Sequence, residues 1–120
     1  MLNIDFIKIA FIVLIVDSIF LKIISKHFNN QVSLVQGEAL QMDYYGAILS
    51  YLFIIIGLKY FILDKNASLT DAFIYGLVVY GIYEATSKAL LKNWKWETVI
   101  IDSVWGGILY ALSTYLYRRL

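Results

Sequence analysis

Four long apolar stretches constrain the fold of this chain more than any other feature. They run from about Ile4 to Ile24, from Tyr44 to Leu63, from Asp71 to Leu91 and from Thr98 to Tyr117. Each has about the 20 residues that a helix needs to cross a bilayer core of roughly 30 Å. In lipid a single chain segment satisfies its own backbone groups only as a helix. We therefore predict an all-α fold, an integral membrane four-helix bundle forming one domain over residues 1–120.

Composition supports the membrane class and excludes several functions. Hydrophobic residues make up 61% of the chain, against about 45–50% in a typical soluble domain. A net charge of +1 gives no reason to expect a nucleic-acid partner. The chain has no cysteine and one histidine, His27, so we expect no metal site and no cofactor. The expected partner is the lipid bilayer, in a cell (inner) membrane or a viral or organellar membrane.

The connections between the stretches predict the topology of the bundle. The turns at 64–69 and 92–96 are short, so neighbouring helices are expected to be antiparallel. The segment 25–43 is longer and polar, and we expect it to be a connection whose apolar residues let it lie at the interface. Lysine and arginine are balanced five against five between the two sides, so the positive-inside rule assigns no orientation.

Three acids interrupt the apolar stretches: Asp17, Glu84 and Asp102. Holding such an acid at the centre of a membrane helix costs roughly 2.5–3.5 kcal/mol on insertion scales. The directions of the predicted helices put all three toward the membrane face that bears the long connection, in either orientation. One of them alone is explained equally well as an interfacial residue that reaches water. Three at a matched depth favour a shared polar site.

Side chains that share helix faces with the acids complete the predicted site. Lys88 follows Glu84 by four residues, a spacing that suits an ion pair, although it equally suits a lysine that extends to the head groups. Tyrosine and tryptophan have polar tips that need hydrogen-bond partners in lipid. The predicted ligand- or proton-binding residues are therefore Asp17, Tyr80, Tyr83, Glu84, Ser87, Lys88, Asp102 and Trp105.

Two further patterns are predicted to be structural. Gly81 and Ala85 are small residues one helical turn apart, and so are Ser103 and Gly107, which is typical of close helix contacts in membranes. Trp94 belongs to a group of aromatic residues near the acid-bearing side, which is typical of a belt at the membrane interface.

The first and fourth stretches contain similar segments. The sequence Ile-Val-Asp-Ser-Ile-Phe at 15–20 is echoed by Ile-Ile-Asp-Ser-Val-Trp at 100–105. Internal duplication is common in membrane folds, where the repeats often flank a central site. The echo places Asp17 and Asp102 in similar local surroundings.

Several short runs together carry a family resemblance. They are Asp-Ser-Ile-Phe-Leu at 17–21, Tyr-Gly-Ile-Tyr-Glu-Ala-Thr at 80–86, Leu-Lys-Asn-Trp at 91–94 and Asp-Ser-Val-Trp-Gly at 102–106. On these residues the chain resembles small four-span membrane proteins of bacteria and some viruses, catalogued as domain of unknown function 2177. The resemblance implies an integral membrane protein of four helices and no established activity. This chain has Glu84, Ser87 and Asn93 where the family pattern has Asp, Asn and Gly.

The sequence leaves three functions open. The first is binding or translocation of protons, cations or a small ligand by the carboxylate site. Since a four-helix monomer is small for a pore, a homo-oligomer is then expected. The second is an accessory or structural membrane subunit, whose acids pair within the chain or with a partner. The third is a membrane-embedded enzyme acting on a lipid-like substrate. A non-enzymatic role is favoured because no nucleophile motif, metal-ligand spacing or cofactor fingerprint is present, and no catalytic residue is assigned.

Overall fold

The computed structural model describes residues 4–120, so the first three residues of the predicted domain lie outside the described range. The described chain consists of four helices and contains no strand. They are α1 (Ile4–Gln36), α2 (Tyr44–Gly57), α3 (Leu69–Leu90) and α4 (Trp96–Arg119), and a π-helical segment, Leu58–Leu63, continues α2. The predicted all-α four-helix bundle is confirmed.

Helix α1 is longer than the predicted first span. Residues 25–36, expected in a polar connection, continue the helix to Gln36. Polar side chains do not by themselves end a helix, and no glycine or proline occurs between Ile4 and Gln36. Gly37 then has a φ of 80° and donates its N–H to Ser33 O, which terminates the helix. At about 1.5 Å per residue the apolar part of α1 at residues 4–24 already spans roughly 30 Å, the thickness of a bilayer core, so we expect the polar end of the helix to lie outside that core.

The other helices begin at side-chain caps or follow short turns. Asp43 accepts hydrogen bonds from the backbone N–H groups of Tyr45 and Gly46 at the start of α2. Ser68 accepts one from the N–H of Asp71 at the start of α3. Asn93 has a φ of 66° in the turn that separates α3 from α4. Such caps satisfy N–H groups that have no partner within the helix.

Helices α3 and α4 form the most extensive contact of the bundle, and glycines set their separation. A Cβ atom added to Gly76 would lie 2.1 Å from the backbone oxygen of Gly106, and one added to Gly106 would lie 2.4 Å from Cγ of Tyr80. Only glycine allows so close an approach. The predicted contact at Gly81 is loose, with Ser103 Oγ at 3.8 Å from an added Cβ, and Ala85 is exposed.

The outer surface of the bundle is apolar along every helix. Large exposed side chains include Phe11 and Ile19 on α1, Phe53 on α2, Ile82 on α3 and Ile100 on α4. A soluble monomer rarely exposes apolar patches larger than a few hundred Å², so this surface suits a lipid environment. Two segments, Tyr44–Leu63 and Trp96–Arg119, are long and apolar enough by composition to cross a membrane.

Candidate carboxylate site

Asp17 joins three helices through its two carboxylate oxygens. It lies on α1 and is 6% exposed. The hydroxyl of Tyr51 on α2 donates to Oδ2, and the indole Nε1 of Trp105 on α4 donates to Oδ1 at 2.8 Å. Hydrogen bonds to a charged group are among the stronger ones in proteins. Asp17 therefore fixes the positions of α2 and α4 against α1.

The indole of Trp105 is held by stacking as well as by its hydrogen bond. Its ring lies parallel to that of Phe20, with centroids 4.2 Å apart and an interplanar angle of 4°. Phe20 and Trp105 occupy the same position in the two echoed segments. Trp105 donates to the aspartate of the other segment, whereas Phe20 has no N–H to donate. The two echoed aspartates therefore have different hydrogen-bond donors.

Glu84 is the most enclosed of the three acids, with no exposed surface. Its Oε1 accepts a hydrogen bond of 3.0 Å from Nε1 of Trp94, which lies in the turn between α3 and α4. Its Oε2 has no donor among residues 4–120. The carboxyl group of Asp102 lies beside that of Glu84, within hydrogen-bonding reach. A hydrogen bond between two carboxyl groups needs a proton on one of them. Glu84 and Asp102 thus form a carboxyl pair.

Asp102 connects the pair to the rest of the site. It lies on α4, is 8% exposed and is close enough to Asp17 for an electrostatic interaction. The ion pairs among the described residues are Lys59–Asp64 and His27–Glu97, so none of the three acids has a basic partner there. In the same part of the chain, no three His, Cys, Asp or Glu side chains are grouped to hold a metal ion. The three acids therefore have no basic side chain of residues 4–120 as an ion-pair partner.

Of the two alternatives for Lys88, the Glu84–Lys88 ion pair is not formed among the described residues. Lys88 places its Nζ over the ring of Trp96, 5.2 Å from the ring centroid. Glu84 points into the bundle toward Trp94. An ion pair with Glu84 would bury the ammonium group of Lys88 at a high desolvation cost. The four-residue spacing permits the pair, but burial of one member prevents it.

A cavity of about 470 Å³ is lined by Asp102 and by both of the predicted tyrosines. It lies between α2, α3 and α4, and its wall includes Asp102, Tyr75, Tyr80, Tyr83 and Tyr110. Ser87, also predicted for the site, is buried one turn beyond Tyr83 on α3 and is not part of this wall. The structure therefore brings Asp17, Glu84, Asp102 and Trp105 together, with Tyr80 and Tyr83 along the cavity and Lys88 directed away.

Two residues of the site, Tyr51 and Trp94, lie outside the predicted set. The signal for Tyr51 is its place in the middle of an apolar helix, where a tyrosine hydroxyl needs a hydrogen-bond partner. Trp94 was assigned to the interfacial belt, but it is only 6% exposed and donates to Glu84. Its place immediately after Asn93, in a tight turn that folds back on α3, is the signal that separates it from exposed Trp96.

A second polar cluster fastens the end of α1 to the turn between α3 and α4. Gln31 is 2% exposed, and its side chain donates to the backbone oxygen of Asn93 and accepts from the N–H of Lys95 and the hydroxyl of Thr98. His27 contacts the same hydroxyl at 2.9 Å. In addition, the Asn93 side chain donates to the backbone oxygen of Leu34. The cluster depends on the unpredicted extension of α1, and it holds the turn that carries Trp94.

Comparison with known families places these observations in context. The family described as Predicted membrane protein (DUF2177) matches residues 2–117 of the chain. Comparison with curated proteins found no match, and comparison with solved structures found none.

Proposed function

The chain belongs to the DUF2177 family of predicted membrane proteins, and we propose that it binds protons within the bilayer at the carboxyl pair of Glu84 and Asp102. Translocation of those protons, or their exchange for a cation or small ligand, is the role that follows for the site. Asp17 holds the surrounding helices in place.

The observation that carries the proposal is the unpartnered oxygen of Glu84. Oε2 is enclosed without a donor in the described chain, and the side chain of Glu84 lies beside the carboxyl group of Asp102. Burying a polar atom without a hydrogen bond costs about 1–3 kcal/mol, and more when the group is charged. A proton held between Glu84 and Asp102 supplies the missing donor and removes the repulsion of two adjacent carboxylates.

The surroundings of the pair strengthen this reading. No basic side chain of residues 4–120 forms an ion pair with any of the three acids, so a proton or another cation must balance their charge in the apolar environment. Asp102 also lines the cavity, whereas Glu84 has no exposed surface. Asp102 is therefore the member that exchanges with the outside, and Glu84 is the enclosed member.

Labelling with dicyclohexylcarbodiimide tests for the bound proton. This apolar reagent attacks protonated carboxyl groups, and peptide mass spectrometry locates the product. We expect labelling at Glu84 or Asp102, a decrease as the pH rises, and loss of the label from the pair in the double variant Glu84→Gln, Asp102→Asn. The exposed, ion-paired Asp64 serves as the control, because Asp64→Asn should leave the labelling unchanged. Folded protein, verified by circular dichroism, that shows no label on either residue at any pH would refute the proposal.

Proton flux separates binding from translocation. Proteoliposomes containing a pH-sensitive dye are given an imposed membrane potential, and the wild type is compared with Asp102→Asn and Asp64→Asn. We expect flux in the wild type and Asp64→Asn and its loss in Asp102→Asn. Labelling without any flux would restrict the function to proton binding. The homo-oligomer expected from the small size of the bundle remains a prediction. The oligomeric state of the protein used in the flux assay tests it.

A structural role is the second candidate, and the contacts of Asp17 favour it. Tyr51 and Trp105 bind its two oxygens and thereby connect α1, α2 and α4. If the acids serve only to hold helices together, Asp17→Asn and Asp102→Asn should both lower the stability of the bundle, and neither should alter a flux. An accessory subunit would meet these expectations, whereas a proton site requires that Asp102→Asn changes labelling or flux in a folded protein.

A further inference from the structure

The cavity beside Asp102 has the size and the walls of a small-molecule site. Its volume is about 470 Å³, within the range of about 300–1,000 Å³ typical of ligand pockets. Phe53 and Ile54 of α2 form one side, Tyr75, Val79 and Tyr80 of α3 form another, and α4 supplies the acid. Such a pocket has a largely apolar wall and one strongly polar group.

Tyrosine rings make up much of that wall. Tyr110 meets Tyr75 edge to face, with centroids 5.5 Å apart at 74°, and Tyr80 at 6.4 Å and 82°. In each of these contacts the edge of one ring meets one face of the other, so the remaining ring faces are not occupied by these contacts. The face of an aromatic ring carries partial negative charge and attracts cations, with a larger effect away from water.

The charge of the cavity selects for a positive ligand. Asp102 is the one acidic residue that lines the cavity, and the lining residues include no lysine, arginine or histidine. The lysine nearest along α3, Lys88, lies over Trp96 instead. An anion would therefore meet a carboxylate and the negative faces of the rings, whereas a cation meets complementary charge on both.

The cavity opens through the side of the bundle. Helix α2 meets α3 mainly through the π-helical segment Leu58–Leu63, and above this segment the two helices enclose the cavity. Ser50 and Phe53, which line it from α2, are exposed on the apolar outer surface. A ligand that enters this way comes from the hydrocarbon layer, so it must itself dissolve in lipid.

We propose that the cleft between α2 and α3 binds a lipophilic organic cation, with its positive group at Asp102 and its apolar groups against Tyr75, Tyr80, Tyr83 and Tyr110. The proposal rests on the proposed function, because the cation takes the place of the proton that Asp102 shares with Glu84. It names the ligand class for which that proton is exchanged.

Two ions of the same shape and opposite charge test the proposal. Tetraphenylphosphonium and tetraphenylborate are titrated separately into full-length protein in nanodiscs, with empty nanodiscs subtracted to remove partitioning into lipid. We expect saturable binding of the phosphonium ion and none of the borate. In Asp102→Asn the affinity for the cation should fall roughly tenfold or more, as expected when a desolvated charge contact is lost.

Variants that fill the cleft locate the binding. Val79→Trp fills it from α3 and Ser50→Trp from α2, and both should abolish saturable binding. Val78→Trp is the matched control, because Val78 is the neighbouring residue, is 49% exposed and does not line the cavity. Circular dichroism verifies that each variant is folded, and the two filling variants approach the cleft from opposite walls, so one suffices if the other does not fold.

The outcomes distinguish this proposal from the proposed function. Equal binding of the two ions, or cation binding that survives both Asp102→Asn and a folded cleft-filling variant, overturns the ligand assignment, as it would if the cleft held a neutral lipid. Absence of saturable cation binding while carbodiimide still labels the Glu84–Asp102 pair also overturns it and leaves the proton site intact. Absence of labelling in the wild type removes the proton site itself.

Discussion

Replacing Gly106 with alanine tests whether the α3–α4 contact sets the geometry of the site. The added Cβ would lie 2.4 Å from Cγ and 2.5 Å from Cβ of Tyr80, and 2.6 Å from the backbone oxygen of Gly76. Carbon atoms in contact are about 3.5–4.0 Å apart, so the shortfall is about 1 Å. None of these atoms belongs to the free end of a flexible side chain, so the two helices themselves must separate.

The expected magnitude follows from two opposing effects. Overpacking a tight contact typically costs about 1–3 kcal/mol and occasionally more. Alanine is favoured over glycine within a helix by about 1 kcal/mol, which offsets part of that cost. We expect Gly106→Ala to lower the free energy of unfolding by about 1–2 kcal/mol, a value at the upper end of that difference because the backbone of Gly76 is one of the obstructing groups.

The matched control is Gly46→Ala on α2. The nearest atom to its added Cβ is Cγ of Asp43 at 3.8 Å, an ordinary contact. Only the helix preference remains there, so the free energy of unfolding should rise by up to about 1 kcal/mol. Both variants are measured by reversible unfolding in mixed micelles, followed by circular dichroism and tryptophan fluorescence. The reasoning fails if Gly106→Ala raises the free energy of unfolding as Gly46→Ala does, because α3 and α4 then are not in tight contact at Gly106.

Two further predictions use the polar contacts. In Trp105→Phe the ring can still stack on Phe20 while Asp17 loses one donor, so we expect the free energy of unfolding to fall by about 1–3 kcal/mol. Trp96→Phe, at a residue 65% exposed, is the control and should change it by less than about 0.5 kcal/mol; equal effects would contradict the hydrogen bond to Asp17. In Gln31→Leu the buried partners in the turn between α3 and α4 lose their contacts, and hydrogen exchange of residues 91–98 should accelerate by roughly tenfold or more; unchanged exchange would show that the cluster does not hold the turn.

Much of the fold was predictable because the length and apolarity of a segment decide whether it forms a membrane helix. The second, third and fourth predicted spans end within two residues of the observed helices, with the π-helical segment counted as part of the second. The first predicted span forms the start of a longer helix, Ile4–Gln36. Its polar continuation was assigned to a connection because low hydropathy suggested a loop, but low hydropathy indicates only where lipid ends. Gly37, with its positive φ, marks the helix end more directly.

The site was predictable in part. The depth of a residue along a membrane helix can be derived from its position in the span, but whether its side chain points into the bundle cannot. Asp17, Glu84 and Asp102 were expected to lie toward one face, and all three are buried in the bundle. The spacing of Lys88 and Glu84 leaves an ion pair open, but Glu84 points into the bundle and Lys88 lies over Trp96 instead. Trp94 required knowledge of the turn, since its side chain reaches Glu84 only because the chain folds back after Asn93.

The hydrogen bonds between α1 and the turn between α3 and α4 connect the end of α1 to the carboxylate site. Three consecutive residues bind two different parts of the molecule: Asn93 and Lys95 bind the polar end of α1, and Trp94 binds Glu84. We expect the polar end of α1 to lie at the membrane surface, where bilayer thickness affects helix tilt. A displacement of that end is then expected to reach Trp94, the hydrogen-bond donor of Glu84. Residues 93–95 therefore connect the polar end of α1 to the buried carboxyl group of Glu84.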